Sequence, residues 1–340
     1  MPFAYIKNRI FTDLLYHTAQ LFTTAKPRIF PYKRIKCIFK IHILRYNTHA
    51  IGAIIRTQPF RATGPIPTIF FIKDTHADNM NIIDFHAHAF PDAIAKKARD
   101  FLENYYHLPM YGNGTLGDLI ASSREGGITR LVVCSTATAA KQVTNINNWL
   151  AAAQKQNPYL VSLGTLHPGF EDIYAEADRI AELGLHGVKL HPDFQHADAL
   201  CPGMLRIYDA CQGRLPVLIH VGDRNTVFSK PAKIAKVLEM FPRLTVIAAH
   251  MGGYSEWEDA EKNIIGKNCY IDTSSSFCGL SYEEMARLIR KHGAQRVLFG
   301  TDYPLACAKE ELERFYRVPL TSGEQEAVLG LNAMHLLGLK

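Results

Sequence analysis

From Met80 onward, short apolar runs of β-forming residues alternate with amphipathic stretches of helical period, and no other feature constrains the fold as tightly. The runs are Ile82–His86, Leu131–Cys134, Leu160–Leu166, Gly187–Leu190, Val217–His220, Thr245–His250, Cys269–Asp272 and Val297–Thr301. Continuous apolar runs of this length suit parallel strands buried on both faces. Between them, Ala177–Leu183 stops at Gly184, Lys233–Met240 at Pro242 and Glu283–Lys291 at Gly293, the residues that end helices. Beyond a longer first interval, strand ends recur every 22 to 32 residues, the length of one β-loop-α-loop unit. Eight such units in residues 80–340 predict an α/β domain of the (β/α)8 TIM-barrel type, whose usual size is about 250 residues.

Residues 1–79 read differently. They show no sustained period, contain two glycines (Gly52, Gly64) and lack serine. Residues 1–80 carry 12 Lys or Arg against three acids, a net of +9, while the remaining 260 residues carry 26 against 29, a net of −3. The formal charge of +6 therefore belongs to a basic N-terminal extension, and no nucleic-acid partner is expected for the barrel. A targeting presequence is one reading of this extension and a basic membrane- or nucleic-acid-binding tail a second; translation starting at Met80, directly before the first strand, is the third and the favoured one. Seven cysteines without a C-x-x-C pair suit a reducing cytoplasm better than a disulfide framework. No run approaches the ~18 apolar residues of a membrane helix, so no membrane partner is expected.

Chemistry-bearing residues gather at the C-terminal ends of the strands, where barrel enzymes place their sites. His86 and His88 close the first strand, and alternate residues of a strand face one side, so both can reach a single cation. His220 ends the fifth strand, His250 the sixth and Asp302 the eighth. A histidine at one such place is ordinarily a satisfied core residue. An H-x-H pair with two further matched strand ends points instead to three or four metal ligands: His86, His88, His220 and Asp302. His250, before Met251-Gly-Gly, is expected to move a proton as an acid/base, with direct ligation second, and Asp302 to act as ligand or proton acceptor.

On the fourth strand Lys189 and His191 share a parity. Lys189 is read as a cation for an anionic substrate or as an ion-pair donor, with carboxylation to a bridging ligand left aside; His191 is read as a contact to substrate or metal. Arg224 could fork a substrate carboxylate or pair with Asp223. His167 is a weaker candidate, and Asp272-Thr-Ser-Ser-Ser-Phe277 lines the pocket or caps the next helix. The polar, aromatic loop Tyr105–Gly114 in the long first interval is a candidate lid.

With these residues in place the chain resembles the amidohydrolase superfamily, and within it the amidohydrolase-related branch of TIM-barrel hydrolases. The resemblance runs through Ile83-Asp-Phe-His-Ala-His-Ala-Phe-Pro91, Gly187-Val-Lys-Leu-His-Pro-Asp-Phe-Gln195, Val246-Ile-Ala-Ala-His-Met-Gly-Gly253, Val297-Leu-Phe-Gly-Thr-Asp-Tyr-Pro304 and Leu329-Gly-Leu-Asn-Ala-Met-His-Leu-Leu337. It covers roughly residues 80 to 340 and implies one divalent ion, zinc being the expected one, held by His86, His88, His220 and Asp302, with His250 as acid/base. Members of the branch hydrolyse amides, esters or lactones, or remove CO2 from aromatic or unsaturated acids. A metal-dependent hydrolase acting on a small molecule is the leading expectation, and a non-oxidative decarboxylase using the same site is the alternative. TatD-like nucleases carry a glutamate where this chain has Lys189-Leu-His191, which argues against a nuclease. A closed, non-catalytic scaffold is the contrasting class, and assembly as a homodimer follows from analogy alone.

Overall fold

The computed structural model describes residues 41–44, 52–55 and 81–339. The chain divides into two units, Met1–Phe71 and Ile72–Lys340. In the first, β1 (Ile41–Leu44) and β2 (Gly52–Ile55) pair antiparallel, with Ile41 opposite Ile55. What was expected of the rest of residues 1–79 lies outside the described residues.

The second unit realises all eight anticipated strands: β3 (Ile83–His88), β4 (Arg130–Cys134), β5 (Leu160–Thr165), β6 (Val188–Leu190), β7 (Val217–Ile219), β8 (Val246–Ala248), β9 (Tyr270–Asp272) and β10 (Val297–Leu298). They pair in parallel and in chain order. The sheet closes on itself beyond the short β10 ladder. Phe85 N–H donates to Phe299 O at 2.8 Å, Asp302 N–H to His86 O at 2.7 Å and His88 N–H to Tyr303 O at 2.8 Å. The result is a (β/α)8 barrel.

Strand parity sorts side chains into two cores. Val132, Cys134, Val161, Leu163, Leu218 and Ile247 pack inside the barrel, where the C-terminal helix Asn332–Leu337 adds Ala333. Their alternates, among them Leu131, Val133, Val217 and Ile219, face the surrounding helices. Those helices start where their sequences provide caps. Thr115 and Asp172 accept backbone N–H bonds, Ser281–Glu284 and Thr321–Glu324 form capping boxes, and Pro202 and Pro231 occupy first-turn positions. The long first interval holds two helices, Asp92–Tyr106 and Leu116–Glu125.

Candidate active site

The barrel mouth collects its side chains by three local devices. Simple parity turns Lys189 on β6 and Asp272 on β9 inward, both fully buried. On β3 a register shift falls between Asp84 and Ala87, so the strand does not alternate regularly as it approaches His86 and His88. Ile83 and Phe85 fill the interior core below, and the two histidines then meet above them, Nε2 to Nε2 at 3.1 Å. Gly300 makes room for this, since a Cβ there would lie 2.8 Å from the His86 Cβ. The third device is left-handed backbone. His250 (φ 60°), Ser275 (φ 52°) and Asp302 (φ 59°) leave their strands in a conformation that costs a non-glycine residue about 1–3 kcal/mol. Such strain re-aims His250, whose neighbours Val246 and Ala248 face the helices.

His86, His88 and Asp302 form the centre. Asp302 Oδ1 lies 3.2 Å from His88 Nε2 and 3.7 Å from His86 Nε2. Three donors each about 2.1 Å from one ion stand roughly 3.0–3.6 Å apart, so the spacing fits shared ligation of a divalent cation. Each of the three side chains is held from behind. His86 Nδ1 meets Asp272 Oδ2 at 2.9 Å, His88 Nδ1 lies 3.5 Å from Cys134 Sγ, and Ser275 Oγ donates to Asp302 Oδ2 at 2.5 Å.

The electrostatics agree with a cation site. Burial, then the charge of Lys189, pushes His86 down to about 4, so its Nδ1–H donates to Asp272 and its Nε2 lone pair faces the centre. Burial works against protonation of His88, but Cys134 and Asp302 raise it to about 9. Asp302 is held well below the carboxylate range despite burial, by His88, His86 and His250, and Asp272 at about 2 despite burial, chiefly by His86. The ionised carboxylates thus gather positive charge onto one spot, and Lys189 Nζ stands there, 2.9 Å from His86 Nε2.

His220 is placed apart from that trio. Its Nε2 lies 2.8 Å from Gly222 O and its Nδ1 2.9 Å from His250 Nε2, so it reaches the centre only through His250. His250 is anchored by Ser274, whose Oγ is 2.9 Å and carbonyl 3.1 Å from Nδ1, and by its own N–H to Asp272 Oδ1 at 3.0 Å. Burial lowers the His250 pKa and keeps the imidazole neutral. His191, Asp193 and His220 also cluster, but the two imidazoles are stacked, 3.9 Å between centroids and 10° between planes. Nitrogen lone pairs lie in the ring plane, so two parallel stacked rings cannot share one ion, and this cluster is not a second metal site.

The remaining expected residues take different places. His191 is buried, with Phe194 N–H donating to its Nδ1 at 3.3 Å. Arg224 is exposed at the rim and donates to Ser255 O at 2.9 Å; it makes no pair with Asp223. His167 accepts the Gly169 N–H at 3.0 Å in a local turn. Sequence reasoning overlooked Asp272 as the partner of His86, although it ends a strand just as Asp302 does. Nor did it single out Cys134, which stands behind His88. Tyr105, Tyr106, Phe194 and Tyr254 roof the mouth, their ring centroids 4.9–5.9 Å apart in edge-on and tilted pairs.

Known proteins share this architecture. A family model described as amidohydrolase matches residues 83–339. Among curated proteins, gamma-resorcylate decarboxylase from Polaromonas sp. is 24% identical over 168 residues, which are 44% of this chain and 51% of that enzyme. The match thus spans about half the length of that relative. Among solved structures, dihydroxybenzoic acid decarboxylase from Polaromonas sp., with bound manganese and the inhibitor 2-nitroresorcinol, superposes with a TM-score of 0.60 at 16% identity, covering 76% of this chain and 97% of that one. A probable 2-pyrone-4,6-dicarboxylic acid hydrolase from Acinetobacter baumannii superposes with a TM-score of 0.57 at 18% identity, covering 76% and 100%. With the family model spanning the whole barrel, the chain belongs to the amidohydrolase family and is an enzyme with a site for one divalent metal ion.

Proposed function

We propose that the protein is a metal-dependent decarboxylase that removes CO2 from an aromatic carboxylic acid. The observation that carries this reading is the pairing of a buried cation, Lys189, with the His86–His88–Asp302 donors beneath a roof of aromatic rings. Such a mouth suits a planar acid, and the similarity to decarboxylases supports it over the hydrolytic expectation. His86, His88 and Asp302 hold the ion, and His220 joins them if its ring turns from Gly222. Bound there, the ion supplies Lewis acidity to an anionic oxygen. Zinc suits the imidazole-rich donors, and manganese is the ion in the dihydroxybenzoic acid decarboxylase.

Lys189 draws the carboxylate into the mouth, and Tyr106, Tyr254 and Phe194 bracket the ring. Cleavage of the ring–carboxylate bond leaves its electron pair on the ring carbon and releases CO2; a proton added to that carbon restores the arene. His250 conducts this proton: Ser274 fixes Nδ1, and Nε2, 2.9 Å from His220 Nδ1, becomes free for it when the His220 ring turns, with Asp302 as a second carrier. Lactone hydrolysis by the same residues is the second reading, favoured by the likeness to the pyrone dicarboxylic acid hydrolase. The barrel as catalytic unit of residues 80–340, a homodimeric state and a cytoplasmic location complete the proposal; no helix among the described residues is long and apolar enough to cross a membrane.

The test uses protein loaded separately with zinc and manganese, its metal content measured per chain. Hydroxylated benzoates are assayed for CO2 release, and pyrone and other lactones for ring opening. About one ion per chain and CO2 from at least one benzoate is the expected result. Ring opening without CO2 from any acid would replace lyase by hydrolase.

A further inference from the structure

The helix Asp92–Tyr106 ends directly over the mouth, and its last two residues each make a hydrogen bond across it. Tyr105 Oη donates to Asp223 Oδ2 at 2.9 Å, and Tyr106 Oη lies 3.2 Å from His191 Nε2. The direction of the second bond follows from its surroundings. His191 Nδ1 accepts the Phe194 N–H, so Nε2 carries the ring proton and Tyr106 Oη receives it. Tyr106 is therefore a neutral oxygen seated where a buried donor points into the mouth.

Both ends of the neighbouring chain are fixed. His107 leaves the helix in the left-handed conformation (φ 54°), and a few residues later Gly112 N–H is tied to Pro304 O at 2.9 Å and Gly114 N–H to the Tyr303 hydroxyl at 3.2 Å. Any opening is thus confined to the helix end and the few residues after His107, since Tyr111 N–H already meets Leu305 O at 3.4 Å. The roof rings meet Phe194 and Tyr254 edge-on or tilted, contacts that a flat ring could replace.

We propose that Tyr105 and Tyr106 are a two-point latch over the metal centre, and that Tyr106 selects for substrates bearing an anionic oxygen able to take the His191 Nε2–H from it. The selection follows from hydrogen-bond strength. A charged acceptor bonds roughly twice as strongly as a neutral one, so a carboxylate or phenolate displaces the tyrosine while an amide or ester oxygen does not. The latch half of this inference stands on the geometry alone; the selection half rests on the proposed carboxylate substrate.

The experiment uses full-length manganese-loaded protein and the variants Tyr105→Phe, Tyr106→Phe and both together. The first readout is the rate at which excess chelator strips the ion, which needs no substrate. Each single variant is expected to strip about three- to tenfold faster and the double variant faster still, the scale of one lost hydrogen bond. The second readout is binding of benzoate against benzamide. Tyr106→Phe is expected to shrink the preference for benzoate by a similar factor, because benzamide no longer competes with a phenol. Unchanged stripping by a double variant of unaltered melting temperature overturns the latch. A benzoate preference that Tyr106→Phe leaves intact, or that the unmodified protein lacks, overturns the selection.

Discussion

Lys189 is the residue whose role turns most on magnitude. A fully buried ammonium is costly unless it is answered by charge, and burial lowers its pKa while Cys134, Asp302 and Asp272 oppose that shift. Its Nζ, 2.9 Å from His86 Nε2, competes with any cation held by the same nitrogen. Lys189→Met should therefore bind manganese more tightly, by about tenfold, because a like charge is gone. The same variant should lose about a hundredfold in kcat/KM toward aromatic acids, since the buried partner of the carboxylate is removed. Chelator competition and steady-state kinetics measure the two effects. Loss of metal together with activity would make Lys189 part of the metal site itself. Sequence placed Lys189, His86, His88 and Asp302 in the mouth because strand ends and parity are local properties. It could not orient His220, whose ring direction depends on Gly222 O and on His250, nor foresee that a left-handed turn re-aims His250.

Among the elements, the helix Tyr282–His292 shows how a histidine off the active face can set a pH limit. His292 is buried, with Nε2 donating to Cys269 O at 2.9 Å and Nδ1 accepting the Gly266 N–H at 3.1 Å, which requires the neutral ring. Burial lowers its pKa to about 4. Below the ordinary histidine value near 6.5 the unfolded chain takes up a proton that the folded one refuses, so this contribution is full above 6.5 and is lost as pH falls toward 4. It amounts to about 3 kcal/mol. Urea unfolding of the unmodified protein and of His292→Asn between pH 7.5 and 4.5 checks it: the variant should be less stable at pH 7.5 and show a shallower pH slope. Parallel slopes would mean that His292 is not what the acid attacks. The strands and helices were legible because apolar runs, glycine stops and capping residues mark them locally. Strand limits moved inward at β8 and β10, whose last residues leave the ladder to serve the site.

At the scale of the barrel, the sheet closes where the proposed metal donors sit. The ladder of β10 ends at Leu298, and the seam to β3 continues through isolated backbone bonds at Phe85, His88 and Asp302. An ion shared by His86, His88 and Asp302 would pin the first strand to the last. Metal removal should lower the melting temperature in proportion to the logarithm of free metal, about 2.7 kcal/mol at a hundredfold excess over Kd. Amide exchange should rise first at residues 85–88 and 299–303, and uniform exchange around the barrel would show that the seam needs no ion.

The two sides of the proposed metal centre, His86 and Asp302, are 216 residues apart in the sequence. A ribosome must therefore make all the residues between them before these side chains can meet. If they hold the ion together, the growing polypeptide passes through synthesis with its histidines separated and chemically idle, and a message broken before the Asp302 codon yields no half-active product. Metal capture by these residues would mark a barrel whose last strand has been made.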